Sequence, residues 1–171
     1  MKHTEHSNRY RKDQTKNLVS FLVGEVRYAV DIHLVREIVN PLPTVPLPHA
    51  PEEIIGVSDH RGDVLPVVDL RVRFGLGELG PTRKTKWIIV RIPGRDQQFA
   101  LVVDSVADVF GAGTAEQRAV PELGRGKDLR GISQVFSHGE TLVFVVDPAI
   151  VTSAAQSLDP KTLPPLMRKG P

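Results

Sequence analysis

The second half of this chain repeats the first, and that repetition limits the fold more than any other feature of the sequence. YAVDIHLVREI (28–38) aligns with FALVVDSVADV (99–109). TVP (44–46) then aligns with AVP (119–121), GVS (56–58) with GIS (131–133), and DVLPVVDL (63–70) with ETLVFVVDP (140–148). The spacing between partners lengthens by only a few residues from the first match to the last, as small loop insertions would cause. Each match alone is weak. Four matches in one order are hard to obtain by chance and mark a repeated structural unit.

Hydrophobic patterning says what the unit contains. LVSFLVG (18–24) and VRYAVDI (26–32) flank a turn at Gly24 and read as a hairpin. Trp87–Ile92 and Gln98–Val103 form a second hairpin around Pro93-Gly94-Arg95-Asp96. VLPVVDL (64–70) and Leu142–Val146 are apolar on both faces, the pattern of a fully buried strand. Each unit is a hairpin, a short segment ending in Val-Pro, a Gly-led strand, a turn, and a buried strand ending in Asp. A sheet of about five short strands that must hide its edges tends to close into a small barrel. The expected fold is mainly β: two five-stranded β-barrels packed together, with a few short helices, each barrel too small to be very stable alone.

The short helices have identifiable starts. Asp69 precedes LRVRF and Gly75, and Asp147 precedes Pro148 and AIVTSAA. An Asp in this place caps a helix, with Pro favoured just inside it and Gly just past the end. Pro51-Glu52-Glu53 reads as a third helical start, and Thr114 with Gln117 as a capping box.

Composition removes several function classes. The chain has no Cys, which excludes disulfides, thiolate zinc sites and thiol catalysis. No apolar run approaches the ~20 residues of a membrane-spanning helix, and the N-terminal segment lacks the apolar stretch of a secretory signal. A cytoplasmic location is expected. The formal charge of +2 is concentrated at the ends. Residues 1–17 carry Lys2, Arg9, Arg11, Lys12 and Lys16, and residues 159–171 carry Lys161, Arg168 and Lys169. The body between them is slightly acidic, so it lacks the basic face of a nucleic-acid binder. Residues 1–17 read as a flexible basic tail and residues 153–171 as a C-terminal tail.

Catalytic patterns are poorly supported. Ser58, His60 and Asp63 form an imaginable hydrolase or metal site. Asp63 lies around a turn from the other two, however, and no Gly-x-Ser-x-Gly elbow surrounds the serine. The six histidines form no His-Glu-x-x-His pattern, and no phosphate-binding glycine loop is present. No catalytic residue, cofactor or metal is expected. PLPTVPLPHAP (41–51) reads as a rigid connector outside the strand ladder. Arg61, beside Gly62 in a charged turn between apolar strands, is placed for recognition.

FLVGEVRYAVDIHLVREIV, TVPLP, GVSDHRGDVLPVVDLRVRFGL and FALVVDSVADV together resemble the CheW family of bacterial chemotaxis adaptors, over about residues 18–152. The resemblance implies two interleaved SH3-like barrels in one CheW-like domain, and a scaffold without enzymatic activity. It implies two partners: the regulatory domain of a CheA-type histidine kinase, and the hairpin tip of a methyl-accepting chemotaxis receptor seated in an apolar groove between the barrels. The membrane is involved only through the receptors. Motif positions carry receptor contact to Val35, Glu37, Gly56 and Arg61. The family usually has Asn-Leu before the Arg-Gly pair, whereas this chain has Asp59-His60. These two residues are expected to modify the recognition surface, Asp59 by pairing with Arg61 or by reshaping the turn. An alternative expectation is a same-fold adaptor for a non-chemotactic kinase pathway, in motility or development.

Overall fold

Both hairpins form where the sequence places them, but each joins the opposite half of the chain. The computed structural model describes residues 17–119 and 131–158. Its strands are β1 (Asn17–Val23), β2 (Val26–Asp31), β3 (Val35–Val39), β4 (Ile54–His60), β5 (Asp63–Asp69), β6 (Lys86–Arg91), β7 (Gln98–Val103), β8 (Ser105–Gly111), β9 (Glu116–Arg118), β10 (Ile132–His138) and β11 (Thr141–Val146). They make a six-stranded sheet ordered β8-β1-β2-β11-β10-β9 and a five-stranded sheet ordered β3-β6-β7-β5-β4. Hairpin β1–β2 therefore sits among strands of the second half, and hairpin β6–β7 among strands of the first. Pairing is equivalent in the two sheets. β1 runs antiparallel to β8 as β6 does to β3, and β2 runs parallel to β11 as β7 does to β5. The duplicated units are interleaved by exchange of their hairpins.

The edge strands of each sheet are consecutive in the chain. β8 passes through a 3-10 turn at Ala112–Thr114 into β9. β3 passes through the proline-rich connector into β4, and Val45 of that connector bridges to Val57. Each sheet is thereby brought back toward its own start, the SH3-like arrangement. The six-stranded barrel has one strand more than expected because its connector pairs as β9, where the other connector makes a single bridge.

Burial explains why the hairpin strands read as apolar throughout. Ile88, Val90, Phe99, Leu101 and Val103 point into a central core shared with Val19, Phe21, Val23 and Val30 of the other sheet. Their alternates Trp87, Ile89 and Ala100 fill the five-stranded barrel with Leu65 and Val67. Leu18, Ala29, Phe110, Phe136, Val143 and Val145 fill the six-stranded one. The largest core is the seam between the barrels. At about 1.5–3 kcal/mol for each large apolar side chain buried, that seam holds the two barrels together.

The short helices α1 (Leu70–Arg73) and α2 (Pro148–Val151) seal the seam. Asp69 accepts from the Arg71 amide and Asp147 from the Ala149 amide, each at 2.9 Å, so both cap as expected. Gly75, at φ 77, ends α1 with the paired bonds Gly75 N to Val72 O and Leu76 N to Arg71 O. Two expected helical starts are corrected. Residues 51–53 form a turn closed by the Ile54 amide on Pro51 O, leading directly into β4. Gln117 lies in β9, whose pairing with β10 takes the backbone amides that a helix would use. Beyond the boundary expected at residue 152, Ala155 is fully buried in the central core. The basic tail 1–16, residues 120–130 with the end of the AVP match, and residues 159–171 lie outside the described residues.

Candidate functional site

Strand β3 carries a bulge where recognition was expected. Val35 lies opposite Val90 and Glu37 opposite Ile89, which leaves Arg36 as the extra residue. The bulge switches the strand's facing. Val35 packs against the central core, whereas Val39 packs inside the five-stranded barrel. Glu37, opposite the barrel residue Ile89, comes to the mouth of that barrel.

The β4–β5 hairpin closes the mouth from the other side. His60 lies opposite Asp63, so Arg61 and Gly62 are the two loop residues. Both have positive φ, 54° and 88°, as a two-residue type I′ turn requires. Glycine adopts this conformation freely and arginine does so rarely. The Asp59 carboxylate accepts from the Gly62 amide at 3.0 Å and fixes the turn.

Strands β3 and β4 are the two edges of the five-stranded sheet, and side chains join them. Arg61 Nη2 donates to Glu37 Oε1 at 3.0 Å, and His60 Nε2 lies 2.9 Å from Glu37 Oε2. Each carboxylate oxygen therefore has its own partner. The three groups are layered: the side chains of His60, Glu37 and Arg61 are 17%, 32% and 75% exposed. The hydrogen bond from His60 holds the Glu37 carboxyl below its usual range; burial opposes it, and the charges of Arg61, His60 and Arg36 reinforce it.

These residues line an open cleft of about 400 Å³ together with His33, Val35, Arg36, Asp63, Ile89, Arg91 and Gln98. The cleft is polar, carries more basic than acidic side chains, and belongs to one barrel. The groove expected between the barrels is a different place: a smaller cleft of about 220 Å³ lies there, lined by Leu22, Gly24 and Ser105 from one barrel and Asp69, Arg71 and Val102 from the other. Val35, Glu37, Arg61 and His60 are brought together. Gly56 is not at the cleft. It is buried at φ 150°, and a Cβ there would lie 2.2 Å from the Val45 carbonyl oxygen. Its close backbone approach is to the chain's own connector. Arg36, Arg91, His33 and Gln98 were not singled out in the sequence, because only the bulge and the hairpin register bring them to the mouth.

The imagined catalytic group is not assembled. Ser58 is buried and donates to the Pro43 carbonyl at 2.8 Å, while His60 faces Glu37. Among the described residues no three His, Asp or Glu side chains are grouped to hold a metal ion.

A family model described as the CheW-like domain matches residues 17–156. A chemotaxis protein CheW of Rhizobium meliloti is 34% identical over 108 residues, covering 63% of this chain and 68% of that protein. A chemotaxis protein CheW of Bacillus subtilis is 30% identical over 143 residues, covering 83% of this chain and 90% of that one. The crystal structure of the scaffolding protein TtCheW from Thermoanaerobacter tengcongensis superposes with a TM-score of 0.66 at 29% identity, covering 78% of this chain and 85% of that one.

Proposed function

This chain belongs to the CheW-like domain family, and from that premise we propose that it is a non-enzymatic adaptor coupling methyl-accepting chemoreceptors to a CheA-type histidine kinase. The carrying observation is the convergence of Val35, Glu37 and Arg61 on one mouth of the five-stranded barrel. These are the positions that family motifs mark for receptor contact. The receptor's helical hairpin tip meets Val35 as apolar contact, and Glu37 with Arg61 sets its orientation. Charged groups so placed tune specificity and encounter more than raw affinity. Gly56 supports the reading indirectly, by seating the connector that holds β4 and its turn in place.

The kinase's regulatory domain, itself CheW-like, binds elsewhere on the barrels, and the chain works in the cytoplasm at receptor arrays. No helix among the described residues is long and apolar enough to cross a membrane. In this reading the link to the membrane is the receptor. The proposal is tested by co-sedimenting the protein with a receptor signalling fragment and the kinase. Arg61→Ala should retain the wild-type circular-dichroism spectrum and lose receptor-dependent recruitment. Val35→Ala, a milder change chosen because Val35 also packs on the central core, should weaken it once its melting curve shows a folded protein. Loss of one charged contact is worth about 1–3 kcal/mol, or roughly 5- to 150-fold in affinity. Unchanged ternary complexes with both variants would reject the site.

A further inference from the structure

His60 is the member of this cluster that the family pattern does not supply. It stands where the family usually has an apolar residue, and its imidazole is the most buried of the three groups. It touches Glu37 on the oxygen that Arg61 does not use. We propose that His60 is a positioning residue of the coupling surface: it holds Glu37 from beneath, and its protonation state decides how much of Arg61 is left for the receptor. This rests on the adaptor reading of the cleft and adds a control that the reading does not contain.

The physical argument follows the charge on Glu37. A neutral imidazole donates one N–H to Oε2, and the carboxylate charge is then balanced chiefly by Arg61. A protonated imidazole balances that charge itself and weakens the hold of Glu37 on the guanidinium. Arg61 is mostly exposed and reaches Glu37 through Nη2, so its other N–H groups face the cleft and solvent. A receptor acceptor that competes with Glu37 for Arg61 therefore gains as pH falls. Histidine is the side chain whose charge changes between about pH 5 and 8. The other charged groups facing the pair are Arg36 on β3, Arg91 on β6, Asp63 on β5 and His33 in the turn before β3. The arginines keep one charge throughout that range. His33 is the second histidine of the cleft and is replaced as a control.

The pair also has a mechanical role. Glu37 and His60 join the two edge strands at this mouth, as the Val45–Val57 bridge joins connector to strand farther along β4. A purely structural role would change stability and leave the pH profile of binding unmoved.

The test measures affinity for the cytoplasmic hairpin fragment of a methyl-accepting receptor from the same genome, at pH 6 and pH 8. It uses full-length wild type, His60→Gln, His60→Leu, His33→Gln and Arg61→Ala, each checked for folding by its melting curve. Glutamine keeps an N–H for Glu37 but cannot titrate. The expected result is wild-type and His33→Gln binding at least about threefold tighter at pH 6 than at pH 8. His60→Gln should bind equally at both, and His60→Leu more weakly than His60→Gln. A wild-type profile that is flat, or equally steep in His60→Gln, overturns the inference. Arg61→Ala reports separately: if it binds as wild type does, the adaptor site itself is wrong, whereas loss in Arg61→Ala with unaltered pH dependence in His60→Gln rejects only the role of His60.

Discussion

Replacing Arg61 with asparagine separates what this residue costs the fold from what it does at the surface. Arg61 holds φ 54° in the β4–β5 turn. A side chain with an ordinary Cβ pays about 1 kcal/mol or more in the left-handed region, and asparagine is among the few that enter it readily. The substitution removes the ion pair to Glu37, but its arginine end is 75% exposed, so solvent screening leaves that pair a marginal contribution. His60 still holds the other carboxylate oxygen. The balance favours asparagine by up to about 1 kcal/mol, which for a chain of this size raises the melting temperature by roughly 2–4 °C. Alanine keeps the Cβ at the same φ and also loses the ion pair, so it gains nothing. Thermal unfolding by circular dichroism, read beside receptor co-sedimentation, measures both sides. Arg61→Asn should melt at or above wild type and Arg61→Ala at or below it, with both losing receptor coupling. A fall of several degrees in Arg61→Asn refutes the strain argument, and full coupling in both refutes the assigned role.

Three further outcomes follow from other parts of the molecule. Gly56→Ala drives a Cβ into the Val45 carbonyl and should cost about 2–4 kcal/mol in a urea titration, well above Gly62→Ala, which meets nothing within 4 Å and pays only for its positive φ. Burial raises the Asp69 carboxyl above its usual range, so its ionised form loses stability as pH rises through that raised value. Asp69→Asn, which keeps the cap without the charge, should then be at least as stable as wild type at pH 7, and Asp69→Ala should lose about 1 kcal/mol. Glu37 has the opposite sign: its depressed pKa contributes stability that is fully present above its ordinary value of 4.5 and is lost as pH falls through the depressed one. Acid titration of His60→Leu should show that contribution reduced, because the His60 hydrogen bond is its largest source.

Much of this architecture is legible in the sequence because its signals are local. Gly24 at φ 61° makes the first hairpin turn, and Asp69 and Asp147 cap helices through amides two residues away. The run from Val64 to Leu70 reads as buried, and it also contains Pro66, which is tolerated because β5 pairs with β7 only from Val67 onward. Hairpin exchange is not legible in the residue pattern; only the resemblance implies interleaved barrels. Both hairpins present apolar residues on both faces, so the pattern announces burial without naming the sheet that supplies it. The helix expected at Pro51-Glu52-Glu53 fails because the β4 ladder takes over immediately after one turn. In the cleft, Arg61 is legible from its charged turn between apolar strands, and Glu37 only through the family motif. Their direct contact, and that of His60 with Glu37, joins residues more than twenty positions apart across a sheet edge. The β3 bulge that aims Glu37 at the mouth depends on register with β6, some fifty residues onward, which no local pattern encodes.

The central claim is that one mouth of the five-stranded barrel receives the receptor. Hydrogen–deuterium exchange of the full-length protein, alone and saturated with the receptor hairpin fragment, tests it most directly. Protection should appear over residues 33–37 and 59–63, and fade when Arg61 is replaced by alanine. Protection confined to β9 and β10, with the 33–37 and 59–63 segments unchanged in a complex shown to form, would contradict it.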